Sequence, residues 1–354
     1  MKKIFIICFF MLLSIISLYA DTTNNSGIKE KNNKVNNVKY DTVLNNKKKT
    51  DKKNLKIGGT MVKNFEPVKI AVIGGSGISE ISGIEDVKEL DIETPFGKPS
   101  APITVGTMDG IRVAFLPRHG KRHVILPTEI NVRANIYALK SLGVEQIVAF
   151  TAVGSLQENI KPKDFVIPEQ IYDRTKNRVN TFFGNGIVAH ISFADPFCND
   201  LRDVIHKAVT ELAIEHHFSD TTYVCIEGPQ YSTRAEAKVN RANGFSVVGM
   251  TAIPEAKLAR EAEICYANIS LVTDYDVWKL GDEVGVEKVL EIMSANEKTC
   301  KKLIKNLIPK MAQREIKCEC HNALKNAVQS SHETVTKSPS YSSLALFLDK
   351  YFKK

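Results

Sequence analysis

The chain has 354 residues, 43% hydrophobic and 25% charged, an ordinary globular composition that suits one large domain or two modest ones. Its net charge of +8 is confined to the first 60 residues, which hold 12 lysines against four acids, while the remaining 294 hold 36 basic and 36 acidic residues. A balanced body excludes a broad cationic surface for phosphate backbones, and no nucleic-acid partner is expected.

Lys2 and Lys3, the apolar run Ile4–Leu18 and the small Ala20 read as an export signal over residues 1–20. The run is short for a membrane span, so no stable membrane association is expected after processing. Leu18 makes the cleavage site imperfect, and Cys8 lacks a convincing lipobox. Residues 21–65 are rich in Asn and Lys and predict a disordered linker. A start at Met61 is the other reading. The first places the protein in the periplasm or outside the cell, the second in the cytoplasm.

Along the body, VKIAVI (68–73) predicts a strand running into the turn Gly74-Gly75-Ser76-Gly77. Ile103–Thr107 and Val113–Leu116 flank Asp109-Gly110, a hairpin signal. Apolar residues at helical spacing predict a helix over Glu129–Leu142, closed by Gly143. Gln146–Phe150, Asp164–Pro168, Tyr223–Ile226, Ser246–Met250 and Cys265–Val272 predict strands. Asn199–His216, Ser232–Ala242, Pro254–Glu261 and Val284–Leu307 predict helices. This alternation implies one α/β domain with a central mixed, mostly parallel sheet flanked by helices. From Glu315 the apolar content falls, and Ser330–Ser343 predicts a polar linker before a short amphipathic end.

Ligands of open α/β sheets sit beyond the carboxyl ends of the strands. The predicted ends there are the glycine turn, Arg118-His119-Gly120, Thr151-Ala152, Met250-Thr251 and Thr273-Asp274-Tyr275-Asp276. The turn lacks the third glycine of a dinucleotide fingerprint, since Glu80 stands there, and the Lys-Ser/Thr of a P-loop. It still offers backbone N–H groups and the Ser76 hydroxyl to an anion, and Arg118 adds a fork matched to phosphate oxygens. Asp274 and Asp276 suit a purine: one carboxylate accepts from a 6-amino group, and a protonated one donates to N7. Read alone, each of these features has a bland alternative, a surface ion pair for Arg118 or a turn cap for the aspartates. Seven scattered cysteines are no disulfide framework, and Cys318-x-Cys320 alone is too sparse for zinc. No metal is expected. Cys198 and Cys265 follow elements able to meet, but their pairing is not legible.

The segments VKIAVIGGSG, ETPFGKPS, LPRHGKRH, NVRANIYALKSLG, FTAVGSL, ADPFC, IEGPQYSTRAE, VGMTAIPEAKLAREAEICYA and TDYDVW run in order over about 245 residues. With them the chain resembles the trimeric or hexameric nucleoside phosphorylase superfamily, specifically the 5′-methylthioadenosine phosphorylases. The resemblance implies a phosphorylase/hydrolase-like domain over 66–314, with 315–354 as a C-terminal extension. It implies a phosphate site of Ser76, Arg118, His119, Thr151, Ala152 and Thr251, with Ser76 where members often carry Thr. Met250 is similar to the residue under the ribose, and Tyr231 stands where members more often stack Phe on the purine. Ser232, Asp274, Tyr275 and Asp276 complete the implied purine site, with Asp276 and Asp274 catalytic. His123, His190, Val286 and Val289 resemble the lining of the 5′-substituent pocket. 6-Oxopurine enzymes place Asn at Asp274, so Asp there favours a 6-amino purine.

The activity implied is pentosyl transfer: methylthioadenosine plus phosphate giving adenine and 5-methylthioribose 1-phosphate, in purine and methionine salvage. Phosphate is a co-substrate and no cofactor is needed. A homotrimer or dimer of trimers is implied, and a redox-active Cys318–Cys320 pair occurs in some members. Rival expectations are a 6-oxopurine or methylthioinosine phosphorylase, a hydrolase, and an exported non-catalytic purine-binding protein.

Overall fold

The computed structural model describes residues 53–57, 60–75, 83–279 and 286–353, with only the backbone described at 53–65 and 286–290. The export-signal expectation for residues 1–20 and the phosphate role of Ser76 fall outside the described residues.

Strands β1 (Lys53–Ile57) and β2 (Thr60–Phe65) pair antiparallel as a two-stranded sheet. This corrects the expectation of a linker disordered through residue 65. Composition hid the signal: Gly58-Gly59 between two β-capable runs is a hairpin dipeptide.

The main sheet is built from β3 (Ile70–Gly74), β4 (Glu85–Leu90), β5 (Ile103–Met108), β6 (Ile111–Pro117), β7 (Gln146–Ser155), β8 (Phe165–Val166), β9 (Gln170–Arg174), β10 (His216–His217), β11 (Thr222–Ile226), β12 (Val247–Gly249) and β13 (Cys265–Asp274). Between them lie helices α1 (Val132–Ser141), α2 (Asn199–Glu211), α3 (Arg234–Ala242) and α4 (Ala252–Glu261). After β13 come α5 (Val286–Gln313), a single 3₁₀ turn at Glu319–Asn322, α6 (His332–Lys337) and α7 (Tyr341–Phe352).

The strand order is β10-β8-β13-β7-β3-β6-β5-β4, with β12, β11 and β9 branching from β7. The central pairs β13·β7, β7·β3 and β3·β6 are parallel, and the β4-β5-β6 edge is antiparallel. The mixed, mostly parallel sheet expected from the alternation is therefore present. Its central strands are apolar on both faces because helices cover both. One buried cluster joins Ile136 and Leu139 of α1 to Ala259 of α4, and another joins Ile205 of α2 to Leu303 and Leu307 of α5.

Several boundaries differ from the sequence expectations for local reasons. The α1 helix begins at Val132 because Asn131 caps it, its Oδ1 accepting from Ala134 N at 3.1 Å. The α2 helix stops at Glu211 rather than His216: Ala213 takes φ of +51°, and His216–His217 become a strand. β7 continues five residues past Phe150 because it has ladder partners on both sides, β13 along most of its length and β12 at Val247 and Val248. The polar linker expected at 330–343 is helical instead. Ser331 caps α6, its Oγ accepting from Thr334 N at 3.2 Å, and Val335 is buried. Phe347 of α7 is buried against Tyr137 and Phe182, with ring centroids 5.5 and 4.6 Å apart. Among the described residues, no helix is long and apolar enough to cross a membrane.

Candidate active site

β7 ends where the sheet branches. Val153 and Gly154 pair with Val272 and Asp274 of β13, while Gly154 and Ser155 pair with Val248 and Val247 of β12. A split of this kind opens a crevice at the carboxyl ends of the parallel strands.

Arg118 follows β6 and is held beside the first strand by its backbone N–H, which donates to Gly74 O at 3.0 Å. The residue is 2% exposed. Nε and Nη2 donate to Glu255 at 3.1 and 2.9 Å, and Nη1 donates to Phe150 O at 2.6 Å. Tyr266 OH also donates to Glu255, at 2.7 Å. The surface ion pair weighed from sequence is thus a buried bidentate pair, with Glu255 a partner that sequence reasoning missed. These bonds use three of the five N–H groups, leaving one hydrogen on each terminal nitrogen of an already oriented fork.

His119 Nδ1 lies 2.8 Å from Ile125 O, and the ring stacks on His123 at 4.3 Å. Burial, with the positive Arg118 and His123 adding, lowers its pKa to about 4. The ring is neutral at pH 7. A carbonyl only accepts, so the proton sits on Nδ1 and Nε2 keeps a lone pair. His123 is lowered too, by burial first and by Arg118 second.

Thr151 is not beyond its strand, as expected, but within β7, where its hydroxyl donates to Asn268 Oδ1 at 3.1 Å. Ala152 is exposed on the same strand. Thr251 is buried just ahead of α4, and its side chain makes no capping bond to that helix. Met250 is half-buried against Gly228. Glycine suits that position: φ is +68°, and a Cβ would fall 2.6 Å from Met250 Sδ and displace the Met side chain. Arg178, also missed from sequence, bridges the Met250, Ile253 and Glu227 carbonyls at 2.6 Å each and Ile226 O at 3.3 Å. It ties the loop after β11 to the loop after β12.

Asp274 ends β13, and its carboxylate organises the turn. Oδ1 accepts from Asp276 N at 2.7 Å and Oδ2 from Thr273 Oγ1 at 2.7 Å. Asp276 takes φ of +53°, which Asp tolerates better than most residues. Gly154 lets the pair come close, since a Cβ there would lie 3.0 Å from Asp274 Oδ1 and 3.3 Å from Asp276 Cβ. Burial raises both carboxyls. Asp276 reaches about 6, with the neighbouring Asp274 adding to the rise and the Ser232 hydroxyl opposing it. Asp276 Oδ2 and Ser232 Oγ are buried beside one another, with no further hydrogen-bond partner among the described residues. Orphaned polar atoms in a crevice favour a polar ligand there.

Other expected positions are distributed less evenly. Tyr231 is 66% exposed next to Ser232. Tyr275 is buried, its ring under the Lys279 ammonium at 3.8 Å and edge-on to Trp278. Val286 and Val289 lie in the first turn of α5, with side chains outside the described residues. His190 is not brought to this edge: it borders a cavity shared with Cys198 and Cys318. That cavity meets the start of β13 near Cys265, roughly 30 Å from Asp274 at the rise of an extended strand.

One edge of the sheet therefore presents a buried arginine, a neutral histidine and strand-end hydroxyls. Beside them stands a carboxyl pair with raised proton affinity. Such a set serves an oxyanion and a nitrogen heterocycle together. The family model described as "Phosphorylase superfamily" matches residues 69–309, and the chain belongs to that family. Its relatives narrow the class. The S-methyl-5′-thioadenosine phosphorylase of Geobacter sulfurreducens is 51% identical over 261 residues, covering 73% of this chain and 91% of that protein. The enzyme of the same name from Nitrosopumilus maritimus is 51% identical, covering 73% and 98%. A solved methylthioadenosine phosphorylase from an antarctic soil metagenomic library superposes with a TM-score of 0.76 at 44% identity, covering 80% of this chain and 99% of that one. The methylthioadenosine phosphorylase of Schistosoma mansoni in complex with adenine gives 0.69 at 35% identity, covering 74% and 99%.

Proposed function

We propose that this chain is a pentosyltransferase that cleaves 5′-methylthioadenosine with inorganic phosphate, releasing adenine and 5-methylthioribose 1-phosphate. The observation that carries the substrate class is the Asp274–Asp276 pair, fitted against Gly154 at the branch of the sheet, in a chain half identical to methylthioadenosine phosphorylases. Asp274 keeps lone pairs for the 6-amino group beyond the two bonds it already accepts. Asp276, raised to about 6, is protonated in mildly acid solution and in a minor fraction at neutrality, and passes that proton toward N7 as the base leaves.

Phosphate is bound by the Ser76, Arg118, His119, Thr151, Ala152 and Thr251 set. The two remaining Arg118 hydrogens face the dianion, and the Glu255 pair keeps the fork from turning away. The glycosidic bond lengthens first, the dianion stabilises the growing charge on the sugar, and C1′ is then captured with inversion. Met250 underlies the ribose, and Tyr231, Ser232 and Tyr275 frame the base. His123, Val286 and Val289 belong to the 5′-pocket, while His190, remote from this edge of its own chain, reaches a 5′-pocket only as part of a neighbouring subunit's site. The scheme uses no metal and no organic cofactor.

The domain spans residues 66–314, supported by the family match at 69–309. A homotrimer or a dimer of trimers completes the site. Tyr172 at 51% exposure supplies apolar surface for a neighbouring subunit. Omission of phosphate tests the reaction type. Turnover should vanish and return on adding phosphate, with a phosphorylated sugar as product; free methylthioribose formed without phosphate would make the enzyme a hydrolase.

A further inference from the structure

Four cysteines from three elements converge at the opposite end of β13. Cys198 occupies the cap position of α2, and its backbone N–H donates to Tyr266 O at 2.8 Å, pinning the helix start beside Cys265, the first residue of the strand. The chain leaving α5 brings Cys318 and Cys320 over both. All four sulfurs lie within 4.8 Å of one another. Two contacts are closer, Cys198 to Cys318 at 3.6 Å and Cys265 to Cys318 at 3.3 Å. Zinc–sulfur bonds of ~2.3 Å in a tetrahedron put sulfurs ~3.8 Å apart, so the cluster already has the dimensions of a tetrathiolate site. The Cys-x-Cys, too sparse alone, gains from the fold the two partners it lacked.

The surroundings match the charge of such a site. A divalent ion with four thiolates carries a net charge of −2. Arg314 follows α5, its Nε donating to Gln146 Oε1. Its Nη1 and Nη2 are buried without a hydrogen-bond partner of normal geometry and stand beside Cys198 and Cys265. They place a positive charge next to the thiols. His321, whose Nε2 donates to Glu145 O at 3.1 Å, stands against the cluster with that nitrogen 3.6 Å from Cys265 Sγ. Access is present as well: Cys198, Cys318 and Cys320 line a cavity of about 520 Å³.

We propose that Cys198, Cys265, Cys318 and Cys320 form a binding site for a soft divalent cation of the zinc class. Four thiols take up one ion and release four protons, so no oxidant or reductant is consumed. The site locks the segment after α5 onto β13 and α2, and it is structural because all four positions are taken. It stands apart from the phosphorylase reading, roughly the length of β13 away from Asp274.

Cobalt serves as the probe. Full-length protein, reduced and freed of chelator, is titrated with Co²⁺ alone. The expected result is the visible spectrum of tetrahedral tetrathiolate cobalt, saturating at one equivalent per chain and bleached by zinc. The C318S/C320S variant should lose that spectrum. Because the variant also risks unfolding, a second arm uses the native sequence: zinc should withhold these four thiols from alkylation, read by peptide mass. No tetrathiolate spectrum, the same spectrum in the double variant, or alkylation unchanged by zinc would each overturn the site. So would isolated protein whose four sulfurs are paired as disulfides and which, once reduced, takes up no ion. Phosphorolysis is a separate readout, so its loss or survival does not bear on these results.

Discussion

At the scale of single residues, the account turns on two carboxyl groups two positions apart with different tasks. Asp276→Asn keeps the shape but removes the transferable proton, and kcat should fall at least about 100-fold. Unchanged turnover would remove Asp276 from the mechanism. The raised pKa fixes the sign of the pH dependence. Asp276 is protonated below about 6 against an ordinary 3.8, so the proton donor is lost as pH rises through about 6. The alkaline decline of kcat/KM should carry an inflection near that value, absent from the Asn variant. Asp274→Asn should keep the turn, because the amide oxygen still accepts from Asp276 N. Its effect belongs to specificity: the ratio of kcat/KM for methylthioadenosine over inosine should drop by at least about tenfold. Both aspartates were legible in the sequence as strand-end carboxylates. Glu255 and Arg178 were not, because their roles depend on what faces them across the fold. Arg178 has no local motif and acts by meeting four carbonyls from two separate stretches, 226–227 at the end of β11 and 250–253 after β12.

At the scale of elements, α4 carries the groups behind the site. Glu255 near its start orients Arg118, and Glu261 at its end accepts from Thr181 Oγ1 and Phe182 N at 2.7 Å each. Burial lifts Glu261 from 4.5 to about 7, against these two bonds, which lower it. The folded state therefore binds more protons than the unfolded chain between those values. Stability should fall as pH rises from about 4.5 to 7 and then level off. Glu261→Gln, neutral throughout, should flatten that slope in urea titrations at pH 5 and pH 8; an unchanged slope would mean Glu261 is ionised in the fold. Helix and strand periodicities predicted α1 to α5 and the central strands β3, β6, β7 and β13, since each follows from its own residues. They failed where pairing decides: β7 outran its apolar run because ladders flank it, and α2 ended early at a left-handed Ala213.

For the whole molecule, the C-terminal residues belong to the core rather than trailing from it. Phe347 is 3% exposed and packs on rings from both α1 and the segment before α2. Phe347→Ala should cost about 3–5 kcal/mol in equilibrium unfolding; a change below about 1 kcal/mol would make α7 an accessory. Composition hid this, because the serine-rich stretch supplies helix caps rather than flexibility.

The central claim is the reaction itself, and one competition assay reaches it most directly. Methylthioadenosine and inosine are offered together with phosphate, and the released bases are followed by chromatography. The account predicts phosphate-dependent adenine release with little hypoxanthine. Hypoxanthine as the main product, or no base released from either nucleoside, would contradict it.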